Sequence, residues 1–191
     1  MILSGPEIEK RLNKDIIISP FNKEQLNPNS YNVTLCDKLY TYVLGEDGIL
    51  DLHSKPEQRE IIIPDEGFVI EPGNIYIGST NEYTETYNLV PMITGRSSIG
   101  RVGLTTNIAA CMGDVGFKNT WSLQLSSSAY RIRIYKNMPL AQLYYFQMCG
   151  EIKNYTGHYQ NGSRNNKTSL IFDDIQKAKE LIKTCGGQYD N

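Results

Sequence analysis

The 191-residue chain is long enough for one domain, or one domain with an appendage, to bury a core without staples. Hydrophobic residues make up 40% and charged residues 21%, a globular balance that excludes a wholly disordered chain. The 19 basic and 21 acidic residues give a net charge of -2, which lacks the basic excess of a protein built to hold nucleic-acid backbones.

The chain opens with a helix signal. Ser4 and Glu7 stand at capping-box spacing, Leu3 can staple onto Ile8, and Ile8 and Leu12 share a face, so a short helix is predicted over about residues 5–13. Short β-type runs follow, near 16–18, 31–35, 39–44, 60–63, 68–70, 75–79, 90–94, 103–110, 120–125, 130–135 and 140–148. Turn signals divide them, among them Asn27-Pro28-Asn29, Gly45-Glu46-Asp47-Gly48 and Glu71-Pro72-Gly73-Asn74. Tyr130, Ile132 and Ile134 alternate with Arg131, Arg133 and Tyr135, the pattern of a half-buried strand. So many strands with so few helices predict an all-β sandwich or barrel.

After residue 150 the composition shifts. The polar stretch 154–169 has little to bury and reads as a linker, or as an arm that orders over a ligand. A closing helix is predicted at about 172–184, with Ile175, Ala178, Leu181 and Ile182 on one stripe and Gly186-Gly187 as its stop. The expected division is a body of residues 1–153 and an arm with closing helix at 154–191.

Cys36, Cys111, Cys149 and Cys185 form no Cys-x-x-Cys pair and none lies beside His53 or His158 at zinc-finger spacing, so reduced thiols are expected. The opening residues lack a signal-peptide pattern and no apolar run is long enough to span a bilayer, which predicts a cytoplasmic protein with no membrane partner.

The densest chemistry lies in Gly95-Arg96-Ser97-Ser98-Ile99-Gly100-Arg101, then Asp114-Val115-Gly116-Phe117, then Ala141-Gln142. Guanidinium forks and serine hydroxyls donate to phosphate oxygens, and glycines let backbone N–H groups approach. The same residues also fit a polar turn with its arginines in solvent. Asp114, between Gly113 and Val115-Gly116, fits a tight turn, or a carboxylate that orients water or accepts a sugar hydroxyl.

The chain resembles the dCTP deaminase family, part of the wider dUTPase superfamily, over about residues 1–163. The residues that carry the likeness are Met1-Ile2-Leu3-Ser4, Pro28-Asn29-Ser30-Tyr31, Thr94-Gly95-Arg96-Ser97-Ser98, Arg101-Val102-Gly103-Leu104, Ala110 through Phe117, and Leu140-Ala141-Gln142-Leu143. The resemblance implies a dUTPase-like distorted β-barrel of the β-clip type with short terminal helices. It also implies a homotrimer with active sites between subunits. The ligands it implies are dCTP and dUTP, with dTTP as an inhibitor and Mg2+ carried on the nucleotide's phosphates.

By the same resemblance, Arg96, Ser97, Ser98 and Gln142 hold phosphates, and Ser97, Arg101 and the Ala110 carbonyl serve the water that attacks the pyrimidine ring. Asp114 matches a carboxylate near the deoxyribose, which in diphosphatase members activates water. Asn107, Ile108, Ala109 and Cys111 line the base pocket, and Tyr155, His158, Tyr159 and Gln160 belong to a lid. No zinc is implied, and the His-x-Glu and Pro-Cys-x-x-Cys signature of zinc deaminases is absent from the sequence.

The sequence departs from the family at one catalytic position. Gln124 stands ten residues after Asp114, where the deaminases carry a proton-shuttling glutamate; Asn107, His158 and Gly162 are further departures. An amide cannot take up a proton near neutral pH. Three explanations of Gln124 follow: a diphosphatase that works through Asp114, a silent dNTP-binding regulator, or an engineered replacement. The leading expectation is dCTP deaminase-family activity, with dUTP-type phosphate hydrolysis as the alternative.

Overall fold

Ser4 caps the first helix through one half of the predicted box: its Oγ accepts the Glu7 N–H at 3.3 Å. The Glu7 carboxylate turns instead to Arg11 Nε at 3.1 Å. The helix, α1 (Gly5–Arg11), stops two residues short of the expected end, because Leu12 leaves helical geometry and Asn13 takes a φ of 59°. Leu3 and Ile8 are both buried in the core, as a staple requires.

The computed structural model describes residues 1–53, 55, 57–106, 110–157, 159–160, 175 and 177. Eleven strands follow α1: β1 (Ile16–Ser19), β2 (Tyr31–Thr34), β3 (Lys38–Tyr42), β4 (Gln58–Ile62), β5 (Phe68–Ile70), β6 (Tyr76–Thr86), β7 (Leu89–Gly95), β8 (Leu104–Thr106), β9 (Lys118–Ser127), β10 (Ile132–Ile134) and β11 (Pro139–Gln147). A 3-10 turn at Lys23–Gln25 precedes β2, and a four-residue helix, α2 (Ser97–Gly100), separates β7 from β8. Each predicted run overlaps one of these strands. The predicted helix at 172–184 falls outside the described residues except at Ile175 and Lys177, which are helical.

All pairing between strands is antiparallel and gives three sheets. The largest has the order β4-β3-β6-β9-β8, with β1 also on β6; the others are β2-β11-β7 and β10-β5. The all-β expectation holds, and the described strands pair as three sheets around a common core. Tyr31, Val33, Leu39, Ile93, Leu123, Leu125, Leu143 and Tyr145 fill the centre, each from the inward positions of an alternating strand.

Two further differences have clear causes. Strand β6 runs to Thr86, well beyond the expected end near 79, because its inward positions Thr80, Glu82, Thr84 and Thr86 are polar yet buried. Glu82 is held by Thr34, which donates both its N–H and its hydroxyl to it at 2.8 Å, and Thr84 by Trp121, whose indole N–H donates to it at 2.9 Å. Tyr130, expected to face inward with Ile132 and Ile134, is 66% exposed because it precedes β10 in a bend. Among the described residues no helix is long and apolar enough to cross a membrane.

Candidate active site

Strand β7 is the spine on which the candidate residues are hung, and they gather at its two ends. At the C-terminal end Gly95 passes so close to β8 that a Cβ there would lie 2.6 Å from Thr106 Oγ1, so any larger residue would force that side chain to shift. Arg96 follows as the residue that opens α2. Its N–H donates to the Leu140 carbonyl at 3.1 Å and its guanidinium to the Pro139 carbonyl at 3.0 Å, which ties the turn to the start of β11.

Ser97, Ser98 and Arg101 are exposed around α2. Gln142 on β11 lies in register with Thr94 of β7 on one side and Asn32 of β2 on the other, so it shares this corner with Arg96. Neither Arg96 nor Arg101 has an ion pair among the described residues, whereas Arg11 and Arg131 are paired with carboxylates. Gln124 on β9 lies in register with Ile77 of β6 and precedes Leu125, which pairs with Thr106, the residue packed on Gly95. Its side chain is half-buried on the face opposite Leu123 and Leu125.

The other end of β7 carries Asp114. Residues 111–113 run beside β7, with the Ile93 N–H on the Cys111 carbonyl at 2.6 Å and the Gly113 N–H on the Pro91 carbonyl at 2.8 Å. Gly113 is pressed against Trp121, where a Cβ would meet the indole at 2.7 Å. The chain then turns, the Phe117 N–H bonding the Asp114 carbonyl at 3.2 Å, and leaves the Asp114 carboxylate exposed. A cleft of about 430 Å3 opens here, lined by Val90, Met112, Gly113, Asp114, Val115, Met148, Lys153 and Tyr155.

The first part of the C-terminal arm docks on this turn of its own chain. The Tyr155 N–H donates to the Val115 carbonyl at 2.7 Å, and the Gln160 amide bonds Lys118 and Gly116. Asn119 Nδ2 donates to the Tyr159 carbonyl at 2.9 Å. Lys118 lies 3.4 Å from the Glu85 carboxylate and 4.4 Å over the Tyr87 ring, which commits its charge locally. The Tyr87 hydrogen bond and the Glu85 charge raise the Lys118 ammonium above its ordinary value. Burial, together with Glu85, pushes the Tyr83 hydroxyl up to about 12.

The two groups of residues do not meet within one chain. Pro91, beside Gly113, and Arg96 are five residues apart along an extended strand, which is about 17 Å. Cys111 is half-buried and Ala110 exposed between them, while Asn107, Ile108, Ala109 and His158 lie outside the described residues. His53 is exposed beside Asp51 and joins neither group. The sequence did not single out Asn27, Asn32 or Tyr144, which form a polar row with Gln142; alternate polar positions within apolar strands were the available signal.

Three comparisons bear on this arrangement. The family profile described as dCTP deaminase-like matches residues 2–148. Proteins described as "dCTP deaminase, dUMP-forming" are 48% identical over 177 residues in Hathewaya histolytica and 45% identical over 178 residues in Clostridium botulinum strain Alaska E43. The alignments cover 92% and 93% of this chain and 100% of each relative. The fold is similar to that of the 2'-deoxycytidine 5'-triphosphate deaminase of Agrobacterium tumefaciens, with a TM-score of 0.61 at 18% identity. That likeness covers 75% of this chain but 47% of the larger structure.

Proposed function

The chain belongs to the dCTP deaminase-like family, and on that premise we propose that it is a cytoplasmic hydrolase of pyrimidine deoxynucleoside triphosphates. It takes dCTP and water to dUTP and ammonia, and dUTP and a second water to dUMP and pyrophosphate. The observation that carries this reading is the pair of arginines, Arg96 and Arg101, flanking two exposed serines with no carboxylate partner among the described residues. Unpaired guanidinium groups beside hydroxyl donors suit an oxyanion rich in negative charge.

In this reading Arg96, Ser97, Ser98 and Gln142 hold the phosphates, and Ser97, Arg101 and the Ala110 carbonyl place the water at the ring. Asn107, Ile108, Ala109 and Cys111 meet the base, and the arm from Tyr155 through His158, Tyr159 and Gln160 covers it. Asp114 activates the water that cleaves the phosphate chain. Because Arg96 and Asp114 lie at opposite ends of β7, the reading places each site between neighbouring copies in a homotrimer. Mg2+ is carried by the nucleotide's phosphate oxygens, where it offsets their charge.

Gln124 favours a second reading. A glutamine can orient water or the exocyclic amine but cannot shuttle its proton, so deamination is the weakened half-reaction and phosphate cleavage at Asp114 is untouched. The enzyme then works as a dUTP diphosphatase. Incubation with dCTP, or with dUTP, in the presence of Mg2+, with ammonia and pyrophosphate followed separately, decides between them. Ammonia from dCTP supports the full reaction, and pyrophosphate from dUTP alone supports the diphosphatase. Tight binding with neither product leaves a nucleotide-binding regulator, and absence of binding overturns all three.

A further inference from the structure

We propose that Tyr144 and Asn32 are positioning residues that fix which way the Gln142 side-chain amide points, so that it offers an N–H to an anionic oxygen. The inference rests on the reading that Gln142 meets the nucleotide's phosphates. The two ends of a side-chain amide are nearly equal in size and opposite in polarity. A phosphate has acceptors only, so an amide turned the wrong way repels the ligand it should hold.

The sense of the amide can be traced from a main-chain carbonyl. Asn27 Nδ2 donates to the Gln25 carbonyl at 3.4 Å, to Ser30 Oγ at 3.1 Å and to Asn32 Oδ1 at 3.0 Å. The Gln25 carbonyl can only accept, so Asn27 must present its amino end there. Asn32 therefore turns its oxygen to Asn27, and the same oxygen accepts from Gln142 Nε2 at 3.3 Å. At the other end of the Gln142 amide, the Tyr144 hydroxyl donates to Oε1 at 2.8 Å.

The carbonyl of Gln142 is thus occupied and its nitrogen is committed as a donor. One N–H goes to Asn32; the second has no partner among the described residues. Ser30 and Asn32 are 1% and 6% exposed, so the Asn32 end of the row is shielded from water, while Asn27, Gln142 and Tyr144 are half-buried. Gln142 sits opposite Thr94, two residues before Arg96, which places that second N–H in the corner holding the unpaired guanidinium. Tyr144 faces Met92 in register and needs only its hydroxyl for this role.

A double-mutant cycle read by calorimetric titration with the α,β-imido analogue of dUTP and Mg2+ tests the proposal. Gln142→Ala is expected to weaken binding about tenfold, the loss of one charge-assisted donor. Tyr144→Phe is expected to weaken it about three- to tenfold in the wild-type background, and less than about twofold when Gln142 is already alanine. Gln142→Glu, which keeps the acceptor for Tyr144 but has no N–H, should bind worse than Gln142→Ala. An equal loss from Tyr144→Phe in both backgrounds, no loss in either, or wild-type affinity in Gln142→Glu overturns the proposal. An unchanged affinity in Gln142→Ala would overturn the phosphate role of Gln142 itself, and the positioning role with it. Unfolding temperatures of the five proteins separate a folding defect from a binding one.

Discussion

The side-chain oxygen of Gln160 accepts the backbone N–H of Lys118 at 2.8 Å. The nitrogen of the same amide donates to the Gly116 carbonyl at 2.6 Å and to the Tyr155 carbonyl at 3.3 Å. One side chain from the arm thereby makes the two bonds that a pairing strand would make at the start of β9, two and four residues beyond Asp114. It is a latch.

Gln160→Ala should release that latch without unfolding the body. Each lost bond is worth about 1 kcal/mol net, so hydrogen exchange at the Lys118 amide should quicken roughly tenfold while core amides such as Leu123 stay unchanged. Unaltered exchange at Lys118 would show that the arm does not protect it.

On the proposed reading, Gln124→Glu supplies a group that can carry a proton beside the ring. General acid–base catalysis of this kind contributes about a hundred- to ten-thousandfold, so ammonia release from dCTP should rise by that order while pyrophosphate release from dUTP changes little. If nucleotide binds and ammonia release stays absent, the missing carboxylate was not the obstacle.

How far the sequence disclosed this arrangement depended on which force placed each residue. Strands such as β2, β9 and β11 were legible because their apolar residues alternate and glycine- or proline-rich turns bound them. The second half of β6 was not, because Thr80, Glu82 and Thr84 are buried through hydrogen bonds and not by apolarity. The division into three sheets depends on partners far apart in the chain, such as Ala141 with Gly95, which no local pattern encodes. Arg96, Asp114 and Gln142 stood out as candidates by residue type and family resemblance. Their separation along β7 was not, since it follows from residues 111–113 lying beside Pro91 and Ile93. Asn32 and Tyr144 passed as ordinary strand residues.

Gly95→Ala should destabilise the fold by about 1–3 kcal/mol, because the added Cβ meets Thr106 Oγ1 at 2.6 Å. That hydroxyl is buried without a hydrogen-bond partner among the described residues, so Thr106→Ala should be mild and should relieve the clash in the double variant. Thermal unfolding checks this. A double variant no more stable than Gly95→Ala would mean that the contact with Thr106 is not the source of strain.

Glu85 should make stability pH-dependent on the acid side. Burial alone would raise its carboxyl, but the Tyr87 and Tyr83 hydroxyls and the Lys118 ammonium more than reverse this and hold it below the ordinary value. A group lowered on folding stabilises fully above its unfolded pKa, and that contribution disappears as pH falls through the lowered folded value. Glu85→Gln should therefore lower the unfolding temperature by about 2–4 °C near neutrality. The gap should narrow below about pH 4, where the unfolded carboxyl is already protonated. Parallel curves from pH 7 to pH 3 would exclude this linkage.

The length of β7 has a genetic consequence. If each working centre borrows its arginine corner from one copy and its aspartate turn from the next, Arg96→Ala and Asp114→Asn damage opposite halves. Mixed after unfolding and reassembly, the two defective proteins should regain part of the lost turnover, since some seams then join two sound halves. A chain bearing both lesions, blended with either single variant, contributes no seam with both halves sound.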